Sequence, residues 1–162
     1  MRTFCAGLFL FLALGFPATA QDAVYLIRHG EKELSGADPA LTPEGRKRAQ
    51  DWAVMIANVG LDAIITSDAL RTQETGRIIA DAIGLQPSAL PRNEIASLVD
   101  TLEFDHEEDT VLVVAHAETI PRILERFGVL EDVTIDQSEF ANLYIVHGPL
   151  SDDPVYIHLL MP

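Results

Sequence analysis

The sequence predicts an α/β protein, a three-layer α/β/α sandwich with a mainly parallel central sheet. Two observations lead there. Short apolar runs recur at 23–27, 63–66 and 111–115, and helix-sized stretches separate them. Strands joined through helices form βαβ units, which set the strands parallel and cover the sheet on both faces.

The elements follow in order. Residues 1–20 read as a secretory signal peptide and 21–162 as one domain. Met1-Arg2 is a short basic start, 7–16 is an apolar run, and Ala18-Thr19-Ala20 places small residues before Gln21. The run is too short for a membrane span and polar residues follow it directly; a retained N-terminal anchor helix is the competing reading. Cys5, the one cysteine, lies inside this leader, so the remaining domain has no thiol and no disulfide. The run 23–27 is a buried strand. Thr42-Pro43-Glu44 starts a helix, with threonine as N-cap, proline at the first helical position and an acid in the first turn. That helix extends to about Asn58, with Ala49, Trp52, Ala53 and Ile56 on one face. A strand at 63–66 leads to a helix capped by Ser67 or Asp68 and ending near Gly84. A weaker helix spans about 93–103, the central strand spans 111–115, and 120–127 is helical up to Gly128. Strands at 143–147 and 155–159 close the chain.

The formal net charge is −14, and −15 without the leader, whose only charged residue is Arg2. Such acidity disfavours nucleic acid and anionic membranes as partners, and makes any cluster of arginine informative.

Polar residues of unusual type follow the buried strands. Arg28 and His29 follow the first, Ser67 the second with Arg71 in the next helix, and His116 follows the central strand. In open α/β sheets ligands bind beyond the carboxyl ends of the strands. Phosphoryl transfer is the chemistry that fits. Arginine holds phosphate oxygens with a planar, permanently charged fork, and neutral histidine is a competent nucleophile. A second, protonated histidine would add a donor and a third positive charge. Two guanidinium groups would repel a divalent cation, so neither a metal nor another cofactor is expected. Each residue alone has a plainer reading: His116 a structural histidine, Arg71 a solvated helix residue, Ser67 an N-cap. Their joint placement at strand ends is what favours a site. Lys32 and Arg46 read as surface residues near the mouth, His147 as a strand-end residue, and His106 as part of an exposed acidic turn.

Four ordered blocks, 24–32 (VYLIRHGEK), 41–49 (LTPEGRKRA), 66–75 (TSDALRTQET) and 111–120 (VLVVAHAETI), resemble the histidine phosphatase superfamily. The resemblance implies a phosphoglycerate mutase-like fold, a phosphohistidine intermediate on His29, and a phosphate pocket of Arg28, Arg71 and His116. It also implies a carboxylic proton donor from the segment after the second helix, where Glu94 is the positional candidate. Glu118 is the rival, with a helix-dipole role as its alternative. The short chain resembles the small branch that includes protein phosphohistidine phosphatases. The expected function is that of a metal-independent histidine-type phosphatase, an exported and periplasmic enzyme. Its expected partner is a phosphorylated small molecule or phosphoprotein, with no nucleic acid and no membrane association after leader removal. A non-catalytic phosphate- or phosphoprotein-binding module, and a phosphomutase, are the alternatives.

Overall fold

The computed structural model describes residues 23–161, so the expected leader lies outside the described residues. Ten elements alternate along the chain: β1 (Ala23–Arg28), α1 (Pro43–Met55), β2 (Ala63–Ser67), α2 (Leu70–Ile83), β3 (Ser88–Leu90), α3 (Ile95–Asp105), β4 (Thr110–Ala115), α4 (Ile120–Arg126), β5 (Asn142–His147) and β6 (Val155–Leu160). They form one six-stranded sheet in the order β3-β2-β4-β1-β5-β6.

The first four strands of that order are parallel, with β1 beside β4, β4 beside β2, and β2 beside β3. β5 runs antiparallel to β1, and β6 antiparallel to β5. The sheet is therefore mixed, parallel where the predicted crossovers are and antiparallel at its end. The short link from β5 to β6 is a hairpin connection, which cannot make a parallel crossover. β3 was not foreseen; at three residues, two of them exposed, it carries too little apolar pattern to register.

Side chains alternate across the buried strands, so each face acquires its own core. Val24, Leu26, Val111 and Val113 face α3 and α4, packing with Leu98, Val99, Leu102, Ile123 and Phe127. Ile27, Ile64, Leu112 and Val114 face α1 and α2, packing with Trp52, Ala53, Ile79 and Ala80. Three layers result.

Two helix starts show how the chain is locked. Thr42 caps α1 as its residue types demand, accepting from the Gly45 N–H at 3.1 Å. α2 differs from expectation: its N-cap is Ala69, which has no side-chain bond, and neither Ser67 nor Asp68 fills that role. Instead Asp38, from the loop before α1, accepts the Leu70 N–H with both carboxylate oxygens at 3.1 Å. Ser67 is engaged elsewhere, as shown below. The chain after β1 also lies tight on α1, where a Cβ on Gly30 would fall 2.5 Å from the Gly45 carbonyl oxygen.

Candidate active site

His29 follows β1 directly, and its backbone N–H continues the parallel ladder by donating to the Ala115 carbonyl at 3.1 Å. Its Nδ1 lies 2.7 Å from the Gly30 carbonyl oxygen. A carbonyl can only accept, so the proton sits on Nδ1 and Nε2 presents its lone pair. Arg71, in the first turn of α2, donates to that lone pair from Nε at 3.1 Å. The same guanidinium reaches His116 Nδ1 from its second terminal nitrogen at 3.3 Å, while its first lies 3.6 Å from the Asp38 carboxylate. The His29 and His116 rings meet edge to face with centroids 5.3 Å apart. Thr75 ties α2 to β1, accepting from the Gly30 N–H at 3.1 Å while donating to the Arg71 carbonyl at 2.8 Å.

The strand ends thus bring His29, Arg71 and His116 into direct contact, all three buried. Arg28 joins them differently. Its NH1 donates to the carbonyls of Asp136, Gln137 and Glu139 at 2.9–3.1 Å, and its NH2 to the Gln137 side chain at 3.1 Å. Its guanidinium carbon lies 4.0 Å from the Phe140 ring centroid. Only Nε is left without a partner among the described residues. Phe140 in turn lies edge-on to His29, centroids 6.1 Å apart. The loop 136–140 was not read as part of a site, for it has neither periodicity nor a residue type that announces phosphate chemistry.

Burial dominates the titration of both histidines. It pushes His29 down to about 3, aided by His116, Arg71 and Arg28 and opposed by the Gly30 carbonyl. It pushes His116 down to about 4, aided by Arg71, Arg92 and Arg28 and opposed by Glu118. His116 is accordingly neutral at pH 7, not the third cation anticipated from sequence. The arginines also feel burial, yet a guanidinium remains protonated.

Neither candidate donor touches His29. Glu118 is exposed in the turn after β4, and its charge acts on Arg28, Arg71 and His116. Glu94 is the exposed N-cap residue of α3 and lines a small cavity with Arg92, Ser67 and His116. Of the segment 91–94, it is the charge of Arg92 that acts on Arg71 and His116. Arg92 and Asp38 are the charged residues that sequence reasoning missed; each sits in an irregular stretch beside a proline, where only a turn was signalled. Arg46 pairs with Glu74 at 3.3 Å, and Lys32 forms an isolated backbone bridge with Leu41. His106 pairs with Asp109 at 2.7 Å. His147 stands opposite Ala23, at the far end of the sheet. Among the described residues no three metal-ligating side chains come together, and no helix is long and apolar enough to cross a membrane.

The fold has known counterparts. The fold is that of the histidine phosphatases. Residues 24–94 match the family model of the histidine phosphatase superfamily (branch 1). Over 76 residues the chain is 42% identical to "Probable phosphoglycerate mutase GpmB" of Yersinia enterocolitica, and 41% identical to the protein of that name in Enterobacter sp. strain 638. These matches take in 43% of this chain and 35% of each relative, so the chain spans about a third of the curated relatives it matches. Among solved structures, the protein histidine phosphatase SixA complexed with tungstate superposes with a TM-score of 0.71 at 17% identity, covering 85% of this chain and 96% of SixA. The alpha-ribazole phosphatase from Shigella flexneri gives a TM-score of 0.62 at 17% identity, covering 76% of this chain and 89% of that one. At such identities the structural likeness speaks for the fold.

Proposed function

We propose that the chain is a member of the histidine phosphatase superfamily and a metal-independent phosphatase that forms a phosphohistidine on His29. The observation that carries this reading is His29 itself. Its proton is held on Nδ1 by the Gly30 carbonyl, and its Nε2 lone pair faces the one guanidinium that also touches His116.

The chemistry follows from those bonds. An arriving phosphoryl oxygen takes over the N–H donors of Arg71, which uncovers the Nε2 lone pair as the substrate binds. Nε2 attacks phosphorus while the bond to the leaving group breaks, and water later cleaves the P–N bond. Arg71 carries the charge of the transferring group directly. Arg28 contributes its charge and its free Nε–H, and holds the loop 136–140 against the site.

Glu118 is the proposed proton donor. Its charge acts on three of the site residues, whereas the segment of Glu94 presents Arg92 to them instead. Glu118 is exposed and makes no hydrogen bond to His29, Arg71 or His116, which favours substrates whose leaving groups need little help from an acid. Phosphoamides, phosphohistidine among them, are therefore the preferred class. The shared names among relatives keep a phosphomutase as the second reading, although no long insertion is present among the described residues to enclose a transferred group. The apolar stretch before Gln21 favours export to the periplasm.

Turnover of p-nitrophenyl phosphate by the purified protein, unaffected by a chelator and abolished in His29→Ala, is the expected result. Tight binding of phosphate without turnover would sink the enzymatic reading in favour of a binding module.

A further inference from the structure

Ser67 lies at the end of β2, its Oγ 2.8 Å from His116 Nε2 and 2.7 Å from Thr72 Oγ1, and it accepts the Ala69 N–H at 3.3 Å. Thr72 Oγ1 lies 2.7 Å from the Ala69 carbonyl oxygen and 3.1 Å from that of Ser67. All these groups are buried. Proton counting then settles the direction of the chain. Thr72 has one hydroxyl proton, and its 2.7 Å contact with a carbonyl is favourable only if that proton lies there; otherwise two sets of oxygen lone pairs face each other. The 2.7 Å contact between the two hydroxyls must therefore use the proton of Ser67. With that proton spent, Ser67 can only accept from the imidazole, so His116 carries its hydrogen on Nε2. The other side of the ring agrees independently, because Arg71 can only donate and faces Nδ1 at 3.3 Å.

We propose that Ser67 and Thr72 are positioning residues that hold His116 as the Nε2–H tautomer, so that its bare Nδ1 takes up one proton when phosphate binds. This rests on the reading of the pocket as a phosphate site. A phosphate among His29, Arg71 and His116 presents oxygen lone pairs to a nitrogen lone pair, a repulsion that protonation of Nδ1 turns into a charge-assisted hydrogen bond. The groups facing His116 explain why the proton waits for the anion. Burial, Arg28 at the end of β1, Arg71 on α2 and Arg92 before α3 oppose a charge on the ring, Glu118 favours it, and the neighbouring His29 is itself neutral. A bound phosphate reverses that balance. The bookkeeping is simple: one H⁺, from solvent or from a phosphate monoanion, becomes the Nδ1–H of an imidazolium, with no other bond changed. His116 thereby becomes a donor only when a phosphate is there to receive it.

Long-range ¹H–¹⁵N NMR on the histidine-labelled protein distinguishes the tautomers. His116 is expected to show a pyrrole-type Nε2 and a pyridine-type Nδ1 in the free protein. In Thr72→Val the Ser67 proton loses its acceptor and competes for Nε2, while Arg71 still faces Nδ1, so the Nε2–H form is expected to lose part of its population to the Nδ1–H form; Thr72→Ser is expected to restore it. Calorimetry of inorganic phosphate binding at pH 8, in two buffers of unequal ionisation enthalpy, is expected to show uptake of about one proton per phosphate in the wild type. Thr72→Val is expected to show a smaller uptake. A pyrrole-type Nδ1 in the free wild type, or phosphate binding without uptake, overturns the proposal while leaving the phosphatase reading intact. Absence of phosphate binding overturns the phosphate-site reading and the coupled uptake together. Should Thr72→Val fail to fold, the two wild-type measurements decide by themselves.

Discussion

His29 and His116 are both neutral imidazoles at pH 7, yet their hydrogen bonds prepare them for opposite tasks. The Gly30 carbonyl fixes the proton of His29 on Nδ1 and leaves the Nε2 lone pair for the proposed attack on phosphorus. Ser67 fixes the proton of His116 on Nε2 and leaves Nδ1 to receive one. The division of labour lies in which ring nitrogen meets an acceptor, and no difference in residue type encodes it. The same scale governs the acid. If Glu118 protonates the leaving group, Glu118→Gln lowers kcat/KM by about 100-fold or more on an alkyl phosphate, and by only a few-fold on p-nitrophenyl phosphate, whose leaving group needs little help. Equal losses on both substrates would remove Glu118 from that role and point to a positioning effect.

At the scale of elements, the site is held by close approach. β1 runs into a loop that touches the first turn of α1: a Cβ on Gly30 would meet the Gly45 backbone and one on Gly45 the Glu31 backbone, so neither has room for a side chain. Gly45→Ala is therefore expected to cost about 1–3 kcal/mol through forced backbone movement, read as a fall in the urea midpoint with the slope unchanged. It is also expected to lower activity, because the displaced backbone is that of Glu31, two residues from the proposed nucleophile His29. A variant as stable as the wild type would show that the contact relaxes freely. α2 is anchored in a comparable manner, by a carboxylate borrowed from 32 residues upstream: Asp38 takes the Leu70 N–H and faces the Arg71 guanidinium, so the helix start and Arg71 share one anchor.

For the whole molecule, burying two neutral histidines couples stability to pH. In the unfolded chain each titrates near the ordinary value of 6.5; in the folded protein they are held to about 3 and about 4. Between those limits the unfolded chain binds protons that the folded one refuses, so stability is full above about pH 6.5 and is lost as pH falls toward 4. The loss approaches 1.4 kcal/mol per pH unit for each histidine, an upper limit before structural relaxation. Denaturation midpoints at pH 7, 5.5 and 4.5 are expected to decline more steeply in the wild type than in a His29→Gln, His116→Gln double variant. Parallel declines would assign the acid response to the carboxylates alone.

How much of this was legible in the sequence depends on the range over which each feature is decided. Local pattern determined the strands at 23–27, 63–66 and 111–115, the Thr42 cap of α1 and the Gly84 stop of α2, since periodicity and capping act within a few residues. It also determined that Arg28, His29 and His116 sit at strand ends with Arg71 at the start of the helix after β2, and the parallel crossovers bring these positions to one edge. The tertiary structure alone decided the rest. Arg28 makes four hydrogen bonds, from its two terminal nitrogens, to a loop more than 100 residues away. Ser67 serves His116, 49 residues on, where local reading saw a cap for α2. His116 is neutral because of what is packed around it, and β5 runs antiparallel to β1, which no local pattern announces. Hydrogen-bond partners and desolvation are properties of the assembled neighbourhood, and no local pattern in the chain carries them.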